Sequence, residues 1–289
     1  MFNKVAIIGL GLVGGSLGLA LHKAQAAQQV VGYDLGKGVS ERARKIGAID
    51  QQYSALADAA RGAELIILAT PVGAMRSLLQ NLATTASSGA VVTDVASTKV
   101  QVINWAQEFL PTAVPFVGGH PMVGKQVGGV ESADAALFQN HIYCLTPTRH
   151  TASAALNKVT LLIEALGARA RFLEPAEHDG QVAGVNQLPY VASVALVNTV
   201  AGGPAWADAA MLAGIGFNEV TRPATSNPEM NRDICLSNSE ALTRWLDQYI
   251  AALRDIRDRI ADHHSGLDQP FNRAQQLRQQ WQATYDPEP

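Results

Sequence analysis

Short apolar runs alternate with helical stretches along the first half of the chain. Lys4–Leu10 is a nearly continuous apolar run of strand length, and Val13–Ala27 after it has the periodicity of a helix. Further runs predict strands at Gln29–Asp34, Glu64–Thr70, Ala90–Ser97, Phe116–Gly118 and Tyr143–Thr146. Strands that are apolar throughout are buried on both faces, and their alternation with helices is typical of a parallel, doubly wound α/β sheet.

The pattern changes after Pro147. Helical periodicity covers Thr151–Leu166, and Ala168–Glu174 is the last segment that favours a strand. Leu188–Ala201 is apolar on most sides, as a buried helix would be, and Ala241–Ile260 has apolar residues at helical spacing. The second half is therefore predicted to be helical.

This change predicts an α/β domain over residues 1–174 and an all-helical domain over residues 175–289. Hydrophobic residues make up 47% of the chain and charged residues 16%, which suits two ordinary folded domains. The net charge of -3 argues against a nucleic-acid partner. The two cysteines have no CxxC spacing, so no disulfide framework or metal site is indicated.

The N-terminal apolar run is interrupted by glycines and passes into a helical pattern. Such a segment resembles neither a signal peptide nor a membrane span. We therefore expect a soluble protein of the cytoplasm.

Gly9, Gly11 and Gly14 form a GxGxxG motif between the first predicted strand and the first predicted helix. The first glycine permits a tight turn, the second lets the backbone approach a pyrophosphate, and the third lets the helix pack on the strand. Leu12 and Val13 begin the helix, whose N-terminus offers free N–H groups to phosphates. In this context the motif predicts a Rossmann-type domain that binds a dinucleotide.

Asp34 stands at the end of the second predicted strand. A carboxylate there accepts hydrogen bonds from the adenosine ribose and repels a 2′-phosphate, which favours NAD over NADP. Two observations leave alternatives open: Asp34 is also suited to cap the next turn, and Lys37 lies close by.

Strand ends predict where the ligand binds. In an open α/β sheet, ligands lie outside the carboxyl ends of the strands. Thr70 and Pro71 end one predicted strand, and Asp94–Ser97 and Gly118–His120 end two others. These segments should therefore converge on one crevice.

The chain resembles the prephenate/arogenate dehydrogenase family of tyrosine biosynthesis in five segments. They are GLGLVGGSL (9–17), TDVASTK (93–99), GGHPMVG (118–124), EHDGQVAGVNQLPY (177–190) and GFNEVTRPATSNPEM (216–230). The resemblance implies oxidative decarboxylation of a cyclohexadienol with NAD(P), and a helical C-terminal domain that dimerises. The implied reaction is the NAD-dependent conversion of prephenate to 4-hydroxyphenylpyruvate; the alternative is an arogenate or dual-specificity enzyme that yields tyrosine directly.

The resemblance also implies roles for single residues. His120 matches the family's catalytic histidine, and an imidazole suits the task of taking the hydroxyl proton as hydride leaves the substrate. Ser97 matches the serine beside that histidine, with a helix N-cap as its alternative role. Arg222 matches the arginine that binds a substrate carboxylate, for which a guanidinium is well shaped.

Some positions depart from the family pattern. Where the family often has SHLPH, this chain has Gln187 and Tyr190 in place of the two histidines, and Gln126 replaces a common acid. Asn218 replaces a common basic residue. The amide and phenol groups at 126, 187 and 190 could accept a hydrogen bond from the ammonium group of arogenate. Equally, they could only fill space around prephenate.

Two other classes of protein have similar layouts. One is a different small-acid dehydrogenase, of the β-hydroxyacid or pyrroline-carboxylate reductase type, against which the GGHPM and TSNPEM segments argue. The other is a dinucleotide sensor without activity, against which Ser97, His120 and Arg222 argue. The two apolar helices exceed what one domain needs to bury, so we expect a homodimer through the C-terminal domain.

Overall fold

The computed structural model describes residues 1–125 and 127–285. Its strands are β1 (Phe2–Ile8), β2 (Ala27–Tyr33), β3 (Gln51–Gln52), β4 (Leu65–Leu68), β5 (Val91–Asp94), β6 (Phe116–Pro121), β7 (Ile142–Thr146) and β8 (Arg169–Phe172). They form one sheet in the order β3-β2-β1-β4-β5-β6-β7-β8. All neighbouring pairs are parallel except β6 with β7, which is antiparallel.

Helices connect the strands and make up the rest of the described chain. They are α1 (Leu12–Lys23), α2 (Val39–Lys45), α3 (Leu56–Ala60), α4 (Val72–Thr85), α5 (Val100–Phe109), α6 (Ser153–Ala165), α7 (Pro175–Val182), α8 (Leu188–Ala201), α9 (Trp206–Ala209), α10 (Ile215–Thr221), α11 (Pro228–Ser237), α12 (Ser239–Ala261) and α13 (Asp268–Tyr285). Strands occur only up to Phe172 among the described residues, so the sheet lies entirely in the first part of the chain.

Successive residues of the central strand β1 face opposite sides of the sheet. Val5 and Ile7 belong to an apolar cluster that includes residues of α1 and α6, whereas Ala6 and Ile8 belong to a second cluster with α4 and α5. Because helices cover both faces, β1 is apolar at every one of these positions. This is the doubly wound architecture that the continuous apolar runs predict.

The strand order places β1 beside β4 at the centre of the sheet. The chain builds outward from β1 through β2 and β3, then returns to build outward on the other side from β4. Ligands of such sheets bind at this switch point, outside the carboxyl ends of the strands.

The prediction of the first helix, Val13–Ala27, is wrong at its C-terminal end. The helix ends at Lys23 and not at Ala27, because Gln25 has a positive φ of 50° and Ala27 already begins β2. Strand β3 has two residues, too few to leave a pattern in the sequence. Strand β6 continues beyond Gly118 to Pro121, since pairing with β7 extends through His120.

Helices α7 and α8 are joined through one wide, π-helical turn at Ala183–Gln187. Pro189, in the first turn of α8, has no N–H to donate and its ring would clash with the carbonyl four residues earlier in a regular helix. The wider turn relieves that clash. Helix α8 has the predicted bounds, but the prediction that it is buried is wrong for the single chain, in which Ser193 is its only buried residue.

Contacts divide the chain into two compact units, Met1–Ser239 and the chain from Glu240 onward. The first unit extends well beyond Glu174 because α7 and α11 belong to the same contact cluster as the sheet. In the second unit, Trp245, Tyr249, Ile250 and Leu253 of α12 are 38–49% exposed. No helix in the described ranges has the length and apolar character required to cross a lipid bilayer.

Candidate active site

Three adjoining cavities lie along the carboxyl ends of the strands, within the first unit. The first, of about 320 Å³, is lined by Gly9, Asp34 and Thr70 among others. The second, of about 490 Å³, shares Gly11, Thr70 and Pro71 with the first. The third, of about 200 Å³, shares Ser97, His120, Met230 and Ile234 with the second. Because neighbouring cavities share lining residues, we refer to the three together as the crevice.

The glycine motif shapes the wall shared by the first two cavities. Gly9 has a φ of +93°, and a Cβ there would lie 2.5 Å from the carbonyl oxygen of Ala69. A Cβ on Gly14 would overlap the carbonyl oxygen of Gly9, so α1 packs against the loop only with glycine at that position. A Cβ on Gly11 would meet nothing within 4 Å, since it would project into open space.

The N-terminus of α1 faces this space. Gly11 is the N-cap, Leu12 and Val13 line the second cavity, and the first turn contains no acidic residue. Free backbone N–H groups and the partial positive charge of the helix end favour an anion here. The loop therefore forms a cradle in which a phosphate can approach the backbone.

Asp34 lies directly after β2 and lines the first cavity. Its Oδ2 accepts a hydrogen bond from the Leu10 N–H at 2.7 Å, and its Oδ1 accepts one from the Gly36 N–H at 2.6 Å. The carboxylate thus caps the next turn and also ties β2 to the glycine loop. Both interpretations of Asp34 are compatible, because each oxygen retains a second lone pair and the residue lines the cavity.

The predicted convergence of strand ends is observed. Thr70, Ser97 and His120 line the second cavity together, although they end or follow three different strands. Pro71, which precedes α4, lines both this cavity and the first one. The sheet topology brings these residues together, as parallel strands require.

His120 begins a chain of three side chains. It lies in β6, is 6% exposed, and its Nδ1 is 2.9 Å from Nε2 of His178 in α7. Nδ1 of His178 is in turn 2.9 Å from Oδ1 of Asp179. His178 and Asp179 are both buried, so the chain is shielded from water.

The order of these contacts fixes where the protons lie. A carboxylate only accepts hydrogen bonds, so Nδ1 of His178 carries a proton and its Nε2 is an acceptor in the neutral ring. His120 therefore donates its Nδ1–H to His178, which leaves a lone pair on Nε2 of His120. Burial holds the pKa of His120 well below its ordinary value of 6.5, and His178 and Lys99 lower it further. The ring is neutral at physiological pH and able to accept a proton.

Asp179 also caps helix α5. Its Oδ1 accepts from the Lys99 N–H at 2.7 Å and its Oδ2 accepts from the Val100 N–H at 2.9 Å. The alternative role suggested for Ser97 is therefore wrong: a carboxylate from α7 occupies the capping position, and no side-chain cap comes from the loop itself. Ser97 instead lines the second and third cavities.

A buried ion pair holds the backbone next to His120. Lys99 and Asp94 are fully buried and joined to each other. Lys99 Nζ donates to the carbonyl oxygen of Gly119 at 2.7 Å, and Asp94 Oδ1 accepts from the Gly119 N–H at 3.0 Å. Burial lowers the pKa of Lys99 while the carboxylate of Asp94 opposes that shift. The pair fixes Gly119 on both sides and so positions the following histidine.

Only some of the predicted substrate-binding residues line the crevice. Gln187 and Tyr190 line the third cavity, and Gln187 is 5% exposed. Arg222 is exposed at the start of the 3₁₀ turn Arg222–Thr225 and is not among the residues that line the three cavities. Ser193 of α8 holds this turn by accepting from the Ala224 N–H at 3.1 Å. Gln126 lies outside the described residues.

From the sequence, Asp94 is predicted only to lie within a strand end near the crevice, and no role is predicted for Lys99, His178 or Asp179. All four occur inside the segments TDVASTK and EHDGQVAGVNQLPY that carry the family resemblance. One signal in the sequence could have found them. Both segments contain more ionisable residues than proton transfer and substrate binding require.

Two family models match consecutive parts of the chain. Prephenate dehydrogenase, nucleotide-binding domain, matches residues 17–172, and prephenate dehydrogenase, dimerization domain, matches residues 174–270. Together the two models cover most of the chain.

Individual proteins and solved structures of the same family are also similar to this chain. Cyclohexadienyl dehydrogenase of Zymomonas mobilis is 33% identical over 100% of this chain and 99% of its own length. The structure of Aquifex aeolicus prephenate dehydrogenase in complex with hydroxyphenyl propionate and NAD⁺ has a TM-score of 0.90 at 28% identity, covering 97% of this chain and 98% of that one. Synechocystis arogenate dehydrogenase has a TM-score of 0.82 at 29% identity, covering 96% and 99%. The chain belongs to the prephenate dehydrogenase family.

Proposed function

We propose that this enzyme catalyses the NAD-dependent oxidative decarboxylation of prephenate to 4-hydroxyphenylpyruvate in tyrosine biosynthesis. The observation that carries the proposal is His120, which lies where the second and third cavities meet and has a proton-accepting nitrogen fixed through His178 by Asp179. Arogenate, which would yield tyrosine directly, is the alternative substrate, and the names of the relatives include enzymes for both.

The first two cavities fit NAD. The open space in front of Gly11 and the α1 N-terminus suit the pyrophosphate, and Asp34 suits the adenosine ribose diol. Thr70 and Pro71 line the path from there to Ser97. When bound, NAD supplies the acceptor for a hydride. The NAD⁺ named with the Aquifex aeolicus structure supports this choice of cofactor.

His120 acts as the base. Its Nε2 accepts the proton of the substrate hydroxyl as the hydrogen of the same carbon leaves as hydride, and the carbinol becomes a carbonyl. The bond from the ring to its carboxylate then breaks and CO₂ departs. Its electron pair moves through the ring to the carbonyl oxygen, which becomes a phenolate and takes back the proton held by His120. Asp179, acting through His178, holds His120 in the orientation in which Nε2 is free to accept that proton. Positioned bases of this kind contribute roughly 10²- to 10⁴-fold to the rate.

The other residues bind and orient the substrate. We assign to Ser97 a hydrogen bond to the substrate hydroxyl or to His120, because it lines both cavities that His120 lines. Tyr190 and Gln187 contact the substrate in the third cavity. Arg222 binds a substrate carboxylate, and Gln126 contributes to substrate binding; these two roles rest on the family resemblance.

We propose the functional division at residues 1–174 and 175–289, which the limits of the two family models support. The helical part forms a homodimer. The match to a dimerization domain supports this, as do the exposed apolar side chains of α12. Because the reaction consumes NAD, we expect the enzyme in the cytoplasm.

The test is a turnover assay of the purified protein with prephenate and NAD, in which NADH absorbance and the release of CO₂ are both followed. We expect the two signals to rise in equal amounts. His120→Asn should lower kcat by roughly 10²- to 10⁴-fold while NAD affinity, measured by fluorescence titration, stays the same. Failure of the wild-type protein to convert prephenate or arogenate would contradict the proposal.

A further inference from the structure

The amide of Gln187 is held in one orientation. Asn238 Nδ2 donates to the backbone carbonyl oxygen of Asp179 at 2.8 Å, and also to Oε1 of Gln187 at 2.9 Å. A backbone carbonyl only accepts, so the nitrogen of Asn238 must be the atom on that side. The atom of Gln187 that faces Asn238 is therefore its oxygen.

The nitrogen of Gln187 has no partner. Within residues 1–125 and 127–285, Nε2 of Gln187 is the one buried side-chain nitrogen or oxygen without a hydrogen-bond partner. A buried donor left without an acceptor is costly, and native proteins rarely retain one unless it serves a ligand or an ordered water. Because Gln187 lines the third cavity and its oxygen faces Asn238, this unpaired donor is the group that the amide has left for a molecule bound there.

The surroundings of the donor also favour an oxygen ligand. The third cavity has no carboxylate among the described residues that line it: Ser97, His120, Val182, Asn186, Gln187, Tyr190, Met230, Asn231, Ile234 and Cys235. A buried ammonium group is paired best with a negative charge, and the described lining supplies only neutral acceptors. A keto oxygen or a carboxylate needs a donor, which Gln187 supplies.

Resting on the proposed function, we propose that Gln187, oriented by Asn238, determines specificity by donating to the keto-acid side chain of prephenate at the position where arogenate carries its ammonium. From the sequence alone, the amide was equally able to accept a hydrogen bond from that ammonium. The contact with Asn238 turns the amide oxygen toward Asn238 and leaves the nitrogen as the unpaired group of the amide. The pair makes the enzyme a prephenate dehydrogenase in preference to an arogenate dehydrogenase.

Two variants of Gln187 test the proposal. Gln187→Met removes the donor at similar volume, and we expect kcat/KM for prephenate to fall by roughly tenfold, more than for arogenate. Gln187→Glu replaces the donor with an acceptor in the same shape, and we expect the ratio of prephenate to arogenate kcat/KM to fall by roughly a hundredfold. Gln181→Met, at an exposed glutamine of α7, is the matched control and should leave the ratio unchanged.

Product binding provides a readout that does not depend on turnover. Calorimetry with NAD present should show that wild type binds 4-hydroxyphenylpyruvate more tightly than tyrosine, and that Gln187→Glu reverses or abolishes the difference. NAD affinity and melting temperature show whether each variant is folded. An equal loss for both substrates and both products in a folded variant overturns the specificity role and leaves the proposed function standing. A wild type that converts neither substrate overturns the function itself.

Discussion

The two ends of the crevice are built in different ways. The cofactor end is made mostly of backbone: the glycine loop, a helix N-terminus and one carboxylate that binds loop N–H groups. The reaction end is made of side chains that meet across 58 residues from His120 to His178, and across 80 residues from Lys99 to Asp179. A site made of backbone tolerates many substitutions around its glycines, whereas a site made of linked side chains depends on each partner.

The largest effect should come from the buried pair beneath the reaction end. Lys99→Met leaves the buried carboxyl of Asp94 without its cationic partner, and breaking a buried pair in this way typically costs about 3–5 kcal/mol of stability. Denaturant unfolding of the variant should show this loss. Lys45→Met, which breaks an exposed pair with Glu41, is the control and should change stability by less than about 1 kcal/mol. Equal small effects of the two changes would show that the pair does not support the site.

The next effect concerns the proton on His120. His178→Leu removes the acceptor that fixes its tautomer, and we expect kcat to fall by roughly a hundredfold. His178→Gln supplies a carbonyl oxygen in place of Nε2, so it should retain more activity than the leucine variant. A merely structural histidine would give similar losses in both variants.

The pH dependence of activity in the His178 variants shows whether His178 acts on His120 or only fills space. The base works as neutral imidazole, so activity is lost as pH falls through the pKa of His120, which lies well below 6.5 in the folded protein. His178 is one cause of that lowering. In His178→Leu the acid limb of kcat/KM should therefore move to higher pH. An unmoved limb would show that His178 does not tune the base.

A smaller effect is expected at the substrate carboxylate. Arg222→Ala removes a charge-assisted contact, and we expect the Michaelis constant for prephenate to rise roughly ten- to a hundredfold with NAD unaffected. Arg244→Ala, at an exposed arginine of α12, is the control. An unchanged Michaelis constant would show that Arg222 is only a surface residue.

The smallest effect should come from the cofactor end. Asp34→Ser removes the carboxylate that repels a 2′-phosphate, so the Michaelis constant for NAD should rise roughly tenfold and the gap to NADP should narrow. Steady-state kinetics with both nucleotides measures this. A wild-type protein that works better with NADP would contradict the assignment of Asp34.

The contrast between the two ends also explains what the sequence predicts. The GxGxxG motif needs only a strand before it and a helix after it, and both can be predicted from local sequence patterns. The loop and its role are therefore predictable from a short stretch of sequence. The clamp of Lys99 on Gly119 and the cap that Asp179 provides for α5 join segments that are distant in sequence. No local pattern encodes such pairs, because they arise only after the sheet and α7 have packed together.

The orientation of Gln187 illustrates the same limit at atomic detail. The sequence shows an amide at a position where the family resemblance implies histidine, but which end of the amide is left for a ligand depends on Asn238, 51 residues away. Likewise, the apolar pattern of Leu188–Ala201 predicts its helix correctly but not its exposure, because periodicity does not distinguish an interior from an uncovered surface.

The shared carboxylate of Asp179 has a consequence for building hybrid enzymes. One residue of α7 completes the first turn of α5 and, through its backbone, orients the amides of Asn238 and Gln187. A chimera that takes the sheet from one relative and the helices from another inherits half of each contact from each parent. The best crossover point is therefore not the boundary between the nucleotide-binding and helical segments. It lies after Asn238, because all the residues linked through Asp179 then come from the same parent.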